Sequence, residues 1–248
     1  MGKMGPAEEA VIRTRELSKI YQVGDSRVVA LNRVNLEFRR GTFTAVVGTS
    51  GSGKSTLLNM LGGLERPSAG EVFAAGQPLH TFDENQLVKF RREHVGFIFQ
   101  SFNLLPQMTA LENVALPLSF RGMPKAEREA RAKKVLVQLG LGTHMAHRPA
   151  QMSGGQQQRV GIARALAVNP QIVFADEPTG NLDSKTAEET LKLFRTVIRH
   201  FNQTWIMVTH DRHLASFADT IVSIGDGRIT DITHLQHDDL VPTKETAS

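Results

Sequence analysis

The run Gly48-Thr49-Ser50-Gly51-Ser52-Gly53-Lys54-Ser55-Thr56 has the residue types and spacing of a phosphate cradle. Glycines let a loop close without a side chain entering the space an anion would fill. Amides that converge where a helix begins present unpaired N–H groups and the positive end of the helix dipole to one ligand. The complete spacing from Gly48 to Ser55 places Lys54 to reach the β- and γ-phosphates of a nucleotide and Ser55 to offer a hydroxyl to Mg²⁺. A second chemical signal is the pair Asp176-Glu177, delivered at the end of the apolar run Ile172-Val173-Phe174-Ala175. Carboxylates at a strand end avoid the cost of dry, unpaired charge. Asp176 is placed there to hold the magnesium, directly or through its water, and Glu177 to orient or polarise an attacking water. Gln100 and His210 each follow a further apolar run, Val95–Phe99 and Trp205–Thr209. If the latter is a parallel strand, His210 emerges at the same sheet edge, where it can donate to the γ-phosphate or keep Glu177 and the water in register. The Gln100 amide oxygen can ligate Mg²⁺ while contacting that water.

These groups need a scaffold that brings strand ends together. Phe43–Val47 stands directly before the glycine-rich run and a helical pattern, Leu57–Leu61, directly after it. The runs Val95–Phe99, Ile172–Ala175, Trp205–Val208 and Ile221–Ile224 have the length of buried strands. Leu191, Phe194, Ile198 and Phe201 recur at intervals of three and four, which predicts one apolar stripe on a helix beginning near Ser184. Short apolar strands alternating with such helices define an α/β class with a layered sheet. The span 28–47 reads as short extended runs, and the N-terminal portion predicts a small appended antiparallel element. Residues 106–150 differ in character. Thr109 and Glu112 have the form of a capping box, Pro117 is expected to bend or end the helix that follows, and Pro124 suits the first turn of a second helix running to about Leu139, where Gly140 ends it. This block reads as a helical lobe inserted into the core. The tail after Asp231 has few apolar anchors, so its last residues are expected to fray.

The chain has 248 residues, of which 40% are hydrophobic and 22% charged, a balance that excludes a disordered or low-complexity chain. One domain over 1–248 with a subsidiary lobe is the expected organisation. With no cysteine, disulfides, thiolate metal sites and cysteine nucleophiles are excluded. The start resembles no signal peptide and no stretch approaches 18 apolar residues, so a cytoplasmic chain is the simplest reading. A formal charge of +4 is too small to select a polyanionic partner, and the 6% of aromatic residues gives no stacking platform for single strands.

Met152-Ser153-Gly154-Gly155-Gln156 begins another helix, with Ser153 and Gln156 able to form a capping box and the glycines exposing amides. Two anion-ready helix starts on one chain imply two nucleotides, or two chains sharing each nucleotide. The order of these motifs resembles the ATP-binding subunit of ATP-binding cassette (ABC) transporters, over about residues 13–230. The resemblance implies a P-loop, RecA-like core (13–105 and 151–230) with an N-terminal antiparallel element, an inserted helical subdomain (106–150) and a C-terminal tail (231–248). It identifies Gly48, Ser50, Gly51, Ser52, Gly53, Lys54, Ser55 and Thr56 as the phosphate loop and Gln100 as the glutamine loop. Ser153, Gly154, Gly155 and Gln156 match the signature sequence, and Asp176 and Glu177 the magnesium ligand and base. Asp183 falls in the aspartate loop, His210 matches the switch histidine, and Tyr21 matches the adenine-stacking aromatic. Met152 stands where the family usually has leucine, an exchange of apolar shape. Within the family, Phe99–Pro106, Thr109–Val114 and Gly180–Asp183 look like the branch serving macrolide and peptide exporters, lipoprotein release and the cell-division complex.

The resemblance implies an ATPase using ATP and Mg²⁺, paired head to tail with a second copy of itself. It also implies a separate four-helix permease with an extracytoplasmic domain, placing the chain on the cytoplasmic face of the membrane without a nucleic-acid partner. Phe102, Leu104 and Leu105 would lead from Gln100 to a groove that receives the permease. A soluble ABC-type ATPase of translation or DNA maintenance is the competing class. It typically carries two cassettes, coiled coils or iron–sulfur cysteines. A non-hydrolytic scaffold is opposed by Lys54, Asp176, Glu177 and His210.

Overall fold

Along β2 (Ser26–Arg39), buried Val34, Leu36 and Phe38 alternate with exposed Arg33, Asn35 and Glu37, the period of a strand with one wet face. β2 pairs antiparallel with β1 (Ala10–Val23), and the hairpin is extended by β4 (Ala69–Ala74) and the two-residue β5 (Gln77–Pro78) in the order β2-β1-β4-β5. The short runs expected over 28–47 are therefore one 14-residue strand and a separate β3 (Phe43–Val47). Pairing with β1 keeps the polar outer positions extended, a tertiary effect that local apolar content does not show. The computed structural model describes residues 10–201 and 203–235.

The second sheet has the order β10-β9-β3-β8-β7-β6. β3, β6 (Val95–Phe99), β7 (Ile172–Asp176), β8 (Thr204–Thr209) and β9 (Thr220–Gly225) run parallel, and β10 (Arg228–His234) closes one edge antiparallel. Every residue of β3 and β8 is buried, as expected for parallel strands covered on both faces. Side chains alternate between two cores. Val173, Ala175, Trp205 and Met207 join the cluster under α3 (Ala110–Phe120), α4 (Lys125–Gln138), α5 (Gly154–Ala167) and α6 (Ser184–Phe201). Ile172, Phe174, Ile206 and Val208 join the cluster shared by α1 (Lys54–Leu61), α2 (Glu84–His94) and the antiparallel sheet.

In the helical lobe, Pro117 does not end its helix, and Pro124 stands just outside the helix whose first turn it suits by sequence. α3 continues through Pro117 to Phe120, because buried Val114, Ala115 and Leu118 anchor it on either side of the missing hydrogen bond. Pro124 is the N-cap of α4, with extended backbone, and not part of its first turn. The capping box at Thr109 is formed, with Glu112 bonded to the Thr109 amide at 2.8 Å. Along α6, Leu191, Phe194 and Ile198 are buried, whereas Phe201 at the helix end is 39% exposed. The chain after Asp231 continues as the edge strand β10 to His234, held by main-chain pairing with β9; the expected fraying of the last residues lies outside the described residues.

Candidate nucleotide site

β3 ends at Val47, and the loop turns back over its C-terminal end into α1. Two glycines are dictated by close approach. A Cβ on Gly48 would lie 2.3 Å from the Ile224 carbonyl oxygen, and one on Gly53, whose φ is +103°, would lie 2.4 Å from that of Ala30. Gly53 is the N-cap of α1 and supplies no side-chain cap, and the first turn of α1 carries no acidic residue. The orphan amides of that turn are thus left for an external acceptor. Ser52 is buried beneath the loop with its hydroxyl unpartnered among the described residues. Lys54 is buried, only 7% exposed, and its ammonium donates to the carbonyls of Gly48 and Thr49 at 2.9 and 2.8 Å. These bonds span the loop and hold a cation at its mouth.

Asp176 closes β7 beside this loop, and the Ser55 hydroxyl donates to its Oδ1 at 3.3 Å. Burial raises the Asp176 pKa, with the Glu177 charge adding to the rise, while the Ser55 hydrogen bond and Lys54 oppose it. A desolvated carboxylate beside a hydroxyl is a donor set suited to a hard cation that completes its shell with water and phosphate oxygens. No group of three or more acidic, histidine or cysteine side chains able to hold a metal occurs among the described residues. The residues present therefore fit Mg²⁺ carried in with a nucleotide, held by Ser55 and Asp176, where it would neutralise charge on the terminal phosphates.

Glu177 has left-handed backbone, φ 44°, and its amide donates to the Val208 carbonyl at 2.9 Å. A non-glycine residue in that region stores strain that must be held by its surroundings. Here β8 holds it, and the carboxylate lies 3.1 Å from Nδ1 of His210, one residue beyond the same strand. Because β8 runs parallel between β3 and β7, all three strands deliver their ends to one edge. A cavity of about 550 Å³ is lined there by Ser50, Gly51, Gly53, Lys54, Ser55, Thr56, Glu177 and His210.

The remaining expected residues lie around this centre. The Tyr21 hydroxyl donates to Glu65 at 2.7 Å, and the Lys19 ammonium sits 5.1 Å from its ring. Burial and Glu65 raise the Tyr21 pKa, while a hydrogen bond with Thr56 lowers it, so the ring stands next to the start of α1. Gln100 lies in the turn after β6; Asn181 Nδ2 donates to its carbonyl at 2.9 Å, and its side-chain amide packs against Gly180. The lining of the phosphate cavity does not include Gln100. Asp183 caps α6, accepting from the Thr186 amide and hydroxyl at 3.1 and 2.6 Å, which holds its carboxyl below the usual range. Ser153 caps α5 in a complete capping box: Gln156 N donates to Ser153 Oγ at 3.3 Å, and Ser153 N to Gln156 Oε1 at 2.9 Å. Gly154 and Gly155 pack near Leu182 and Thr186, and none of residues 153–156 lines the cavity over α1. Met152 is buried in the core, its apolar volume retained.

Sequence reasoning missed three supports. Glu65 anchors Tyr21, Ala30 backs Gly53, and Arg164 of α5 bonds the carbonyls of Phe102 and Asn103, both in left-handed conformations. None has a local signal, because each partner lies between 23 and 62 residues away in the chain.

A glycine-rich loop between a parallel strand and a helix, with an Asp–Glu pair on the neighbouring strand ends, defines a P-loop nucleotide hydrolase of RecA-like fold. The model of the ABC transporter family matches residues 31–180. An uncharacterized ABC transporter ATP-binding protein of Thermotoga maritima is 48% identical over 90% of this chain and 94% of its own. The lipoprotein-releasing system ATP-binding protein LolD of Chromohalobacter salexigens is 45% identical over 90% and 94%. The macrolide export ATP-binding/permease protein MacB of Vibrio parahaemolyticus is 45% identical over 89% of this chain, which spans only 34% of that longer protein. Among solved structures, the cassette MJ0796 of Methanocaldococcus jannaschii, a dimer in a post-hydrolysis state bound to ADP and Pi, superposes with a TM-score of 0.84 at 42% identity. The match covers 92% of this chain and 100% of that one. The chain belongs to the ABC transporter family, as an ATP-binding and ATP-hydrolysing subunit. Its antiparallel sheet, RecA-like core and helical insert are the architecture of that family. No helix among the described residues is long and apolar enough to cross a membrane.

Proposed function

We propose that this chain powers a membrane transport or mechanotransmission complex as a head-to-tail homodimer in which each ATP is shared by two copies. One observation carries the dimeric reading: the two anion-ready helix starts, at Gly53 and at Ser153, do not face one cavity within the chain. A second copy turned end to end supplies Ser153, Gly154, Gly155 and Gln156 to the phosphates held by residues 48–56, and the dimeric, ADP-bound relative supports that arrangement.

In this reading Tyr21 stacks on the adenine, and Lys54 and the loop amides bind the β- and γ-phosphates. Ser55, Asp176 and Gln100 would hold Mg²⁺, which would neutralise charge on the terminal phosphates. Glu177 polarises the attacking water and accepts its proton as the new oxygen–phosphorus bond forms, while the bond from the γ-phosphorus to the β–γ bridging oxygen breaks and ADP leaves with that oxygen; His210 holds the Glu177 carboxylate in line. Asp183 lies at the seam between copies. The core comprises 13–105 and 151–230, with the insert at 106–150 and the tail from 231. The decisive experiment is Glu177→Gln, which keeps the shape and removes the base. Hydrolysis falls about 10²–10⁴-fold, while light scattering with Mg-ATP, but not with Mg-ADP, reports a dimer. A persistent monomer at saturating ATP would overturn the shared site.

The partner we infer is a separate four-helix permease with an extracytoplasmic domain, of the export branch to which the macrolide and lipoprotein-releasing relatives belong. A groove of about 670 Å³ beside Gln100 supports this reading; exposed Leu64, Val88 and Phe120 line it with Phe97 and Phe99. Leu105 is exposed nearby, whereas Leu104 packs against the core and serves as an anchor for the turn. A short cytoplasmic permease helix would seat its apolar face in this groove, which sets the chain on the cytoplasmic face of the membrane.

A further inference from the structure

Where α4 of the helical insert meets α5 and α6, a half-open cavity of about 820 Å³ lies within the size range of small-molecule sites. Its wall is apolar, with Val135 from α4, Leu166 from α5, and Leu193 and Val197 from α6. Its charged lining is of one sign. Arg131 and Lys134, three residues apart on one face of α4, border it, and no acidic side chain does so among the described residues. Neither cation has a carboxylate within ion-pair distance among those residues, although α4 pairs Lys125 with Glu129 one turn earlier. Arg131 also repels Arg121, lowering that residue's pKa beneath the larger effect of burial, while Glu93 opposes the shift from the Arg121 side.

We propose that this cavity binds a single-chain anionic amphiphile, a medium-chain alkyl carboxylate, with its head on Arg131 and Lys134 and its tail along Val135, Leu166, Leu193 and Val197. The charge pattern calls for an anionic head, and the wall for an apolar body. An acyl chain suits this wall better than an extended peptide. The wall is built from helices whose backbone groups are already paired, and buried Gln203, which also lines the cavity, already bonds the Pro170 carbonyl and Trp205 Nε1. A peptide backbone there would bury unpaired polar groups, and a hydrocarbon tail has none. Since α4 belongs to the helical insert and α6 to the core, an occupant bridges the two parts of the molecule. The site lies apart from the residues that hold nucleotide.

Calorimetric titration of the full chain with decanoate tests this directly, with decanol as the uncharged probe. Decanoate is expected to saturate at one molecule per chain, and decanol to bind about tenfold or more weakly, the ratio set by one or two charge-assisted hydrogen bonds. The variant R131Q/K134Q should lower decanoate affinity by the same factor while leaving decanol unchanged, and Thr196→Trp, at an exposed position on the cavity mouth, should weaken both. Melting curves and Mg-ATP binding identical to the parent confirm that the variants are folded. Absence of saturable decanoate binding, equal affinity for the two probes, or undiminished binding to R131Q/K134Q would each overturn the proposal. Displacement of decanoate by an acidic peptide but not by a second fatty acid would assign the cavity to a protein segment and overturn it equally.

Discussion

Two glycine-rich helix starts lie on this chain, and they are finished differently. α1 begins at Gly53 without a side-chain cap, its lysine bridging the carbonyls of the loop that surrounds it. α5 begins at Ser153 with both members of a capping box in place. The first leaves its amides open and meets backbone on two sides, at Ile224 and Ala30, so its shape is fixed by packing before any ligand arrives. The second pairs the Ser153 and Gln156 amides within its box, leaves those of Gly154 and Gly155 without an intrahelical partner, and faces Leu182 and Thr186 across the two glycines. An open, rigid start suits the binding of phosphate by one chain alone. A self-capped start is stable without ligand and suits recognition that comes later, from a partner already loaded.

The strongest way to break this contrast is at the open start. Lys54→Ala removes the only ammonium among the residues lining the phosphate cavity, and hydrolysis is expected to fall about 10²–10³-fold, as for loss of one preorganised charged donor. Titration of the monomer with ATP should show the loss in binding itself; parental affinity would place phosphate recognition elsewhere. Glu177→Gln, already described, comes next, since it stops chemistry and leaves binding intact.

Ser153→Ala addresses the other start. Losing an N-cap costs about 1 kcal/mol, which for a domain of this size lowers Tm by about 2–4 °C. ATP affinity of the monomer should match the parent, whereas the ATP-dependent dimer should weaken. An equal fall in monomer affinity would erase the distinction between the two helix starts.

Smaller effects follow from Asp176 and from the groove. The folded-state pKa of Asp176 is raised by burial above its ordinary 3.8, so the native state holds the proton more tightly than the unfolded chain. Stability contributed by that proton is present at low pH and is lost as pH rises from the unfolded value through the folded one. Asp176→Asn should therefore raise Tm at neutral pH in the absence of nucleotide, by about 2–4 °C for each 1 kcal/mol of relieved desolvation. The gain should vanish under acid, and Mg²⁺-dependent hydrolysis should be lost. A pH-independent difference in Tm would remove desolvation as the cause. Phe120→Asp, at a site 65% exposed, should leave Tm within about 1 °C and ATPase unchanged. It should weaken binding of the purified chain to a cognate permease in detergent about tenfold, because a charge is desolvated in the groove.

The phosphate loop, the Asp176-Glu177 pair and the Ser153 capping box were legible in the sequence because each is local. Each is recognised from residue types within about nine positions of one another, and spacing alone carries that recognition. The buried strands were legible for a related reason, since strands covered on both faces read as continuous apolar runs. What the sequence could not decide were contacts whose two halves are far apart in the chain. The 14-residue β1 and β2 exist because they pair; read alone, their polar positions interrupt the pattern. α3 passes through Pro117 because tertiary burial of Val114 and Leu118 outweighs one missing hydrogen bond. Gln100 lies against Gly180 and Glu177 against His210 only once parallel strands have set those ends side by side, and Tyr21 meets Glu65 only once the antiparallel sheet packs beside α1. The residue types and their local spacing determined which chemistry the chain is equipped for. Tertiary packing decided which of those groups meet within one copy and which must wait for a second, because sheet order and helix docking depend on burial summed over the whole molecule and on no local run of residues.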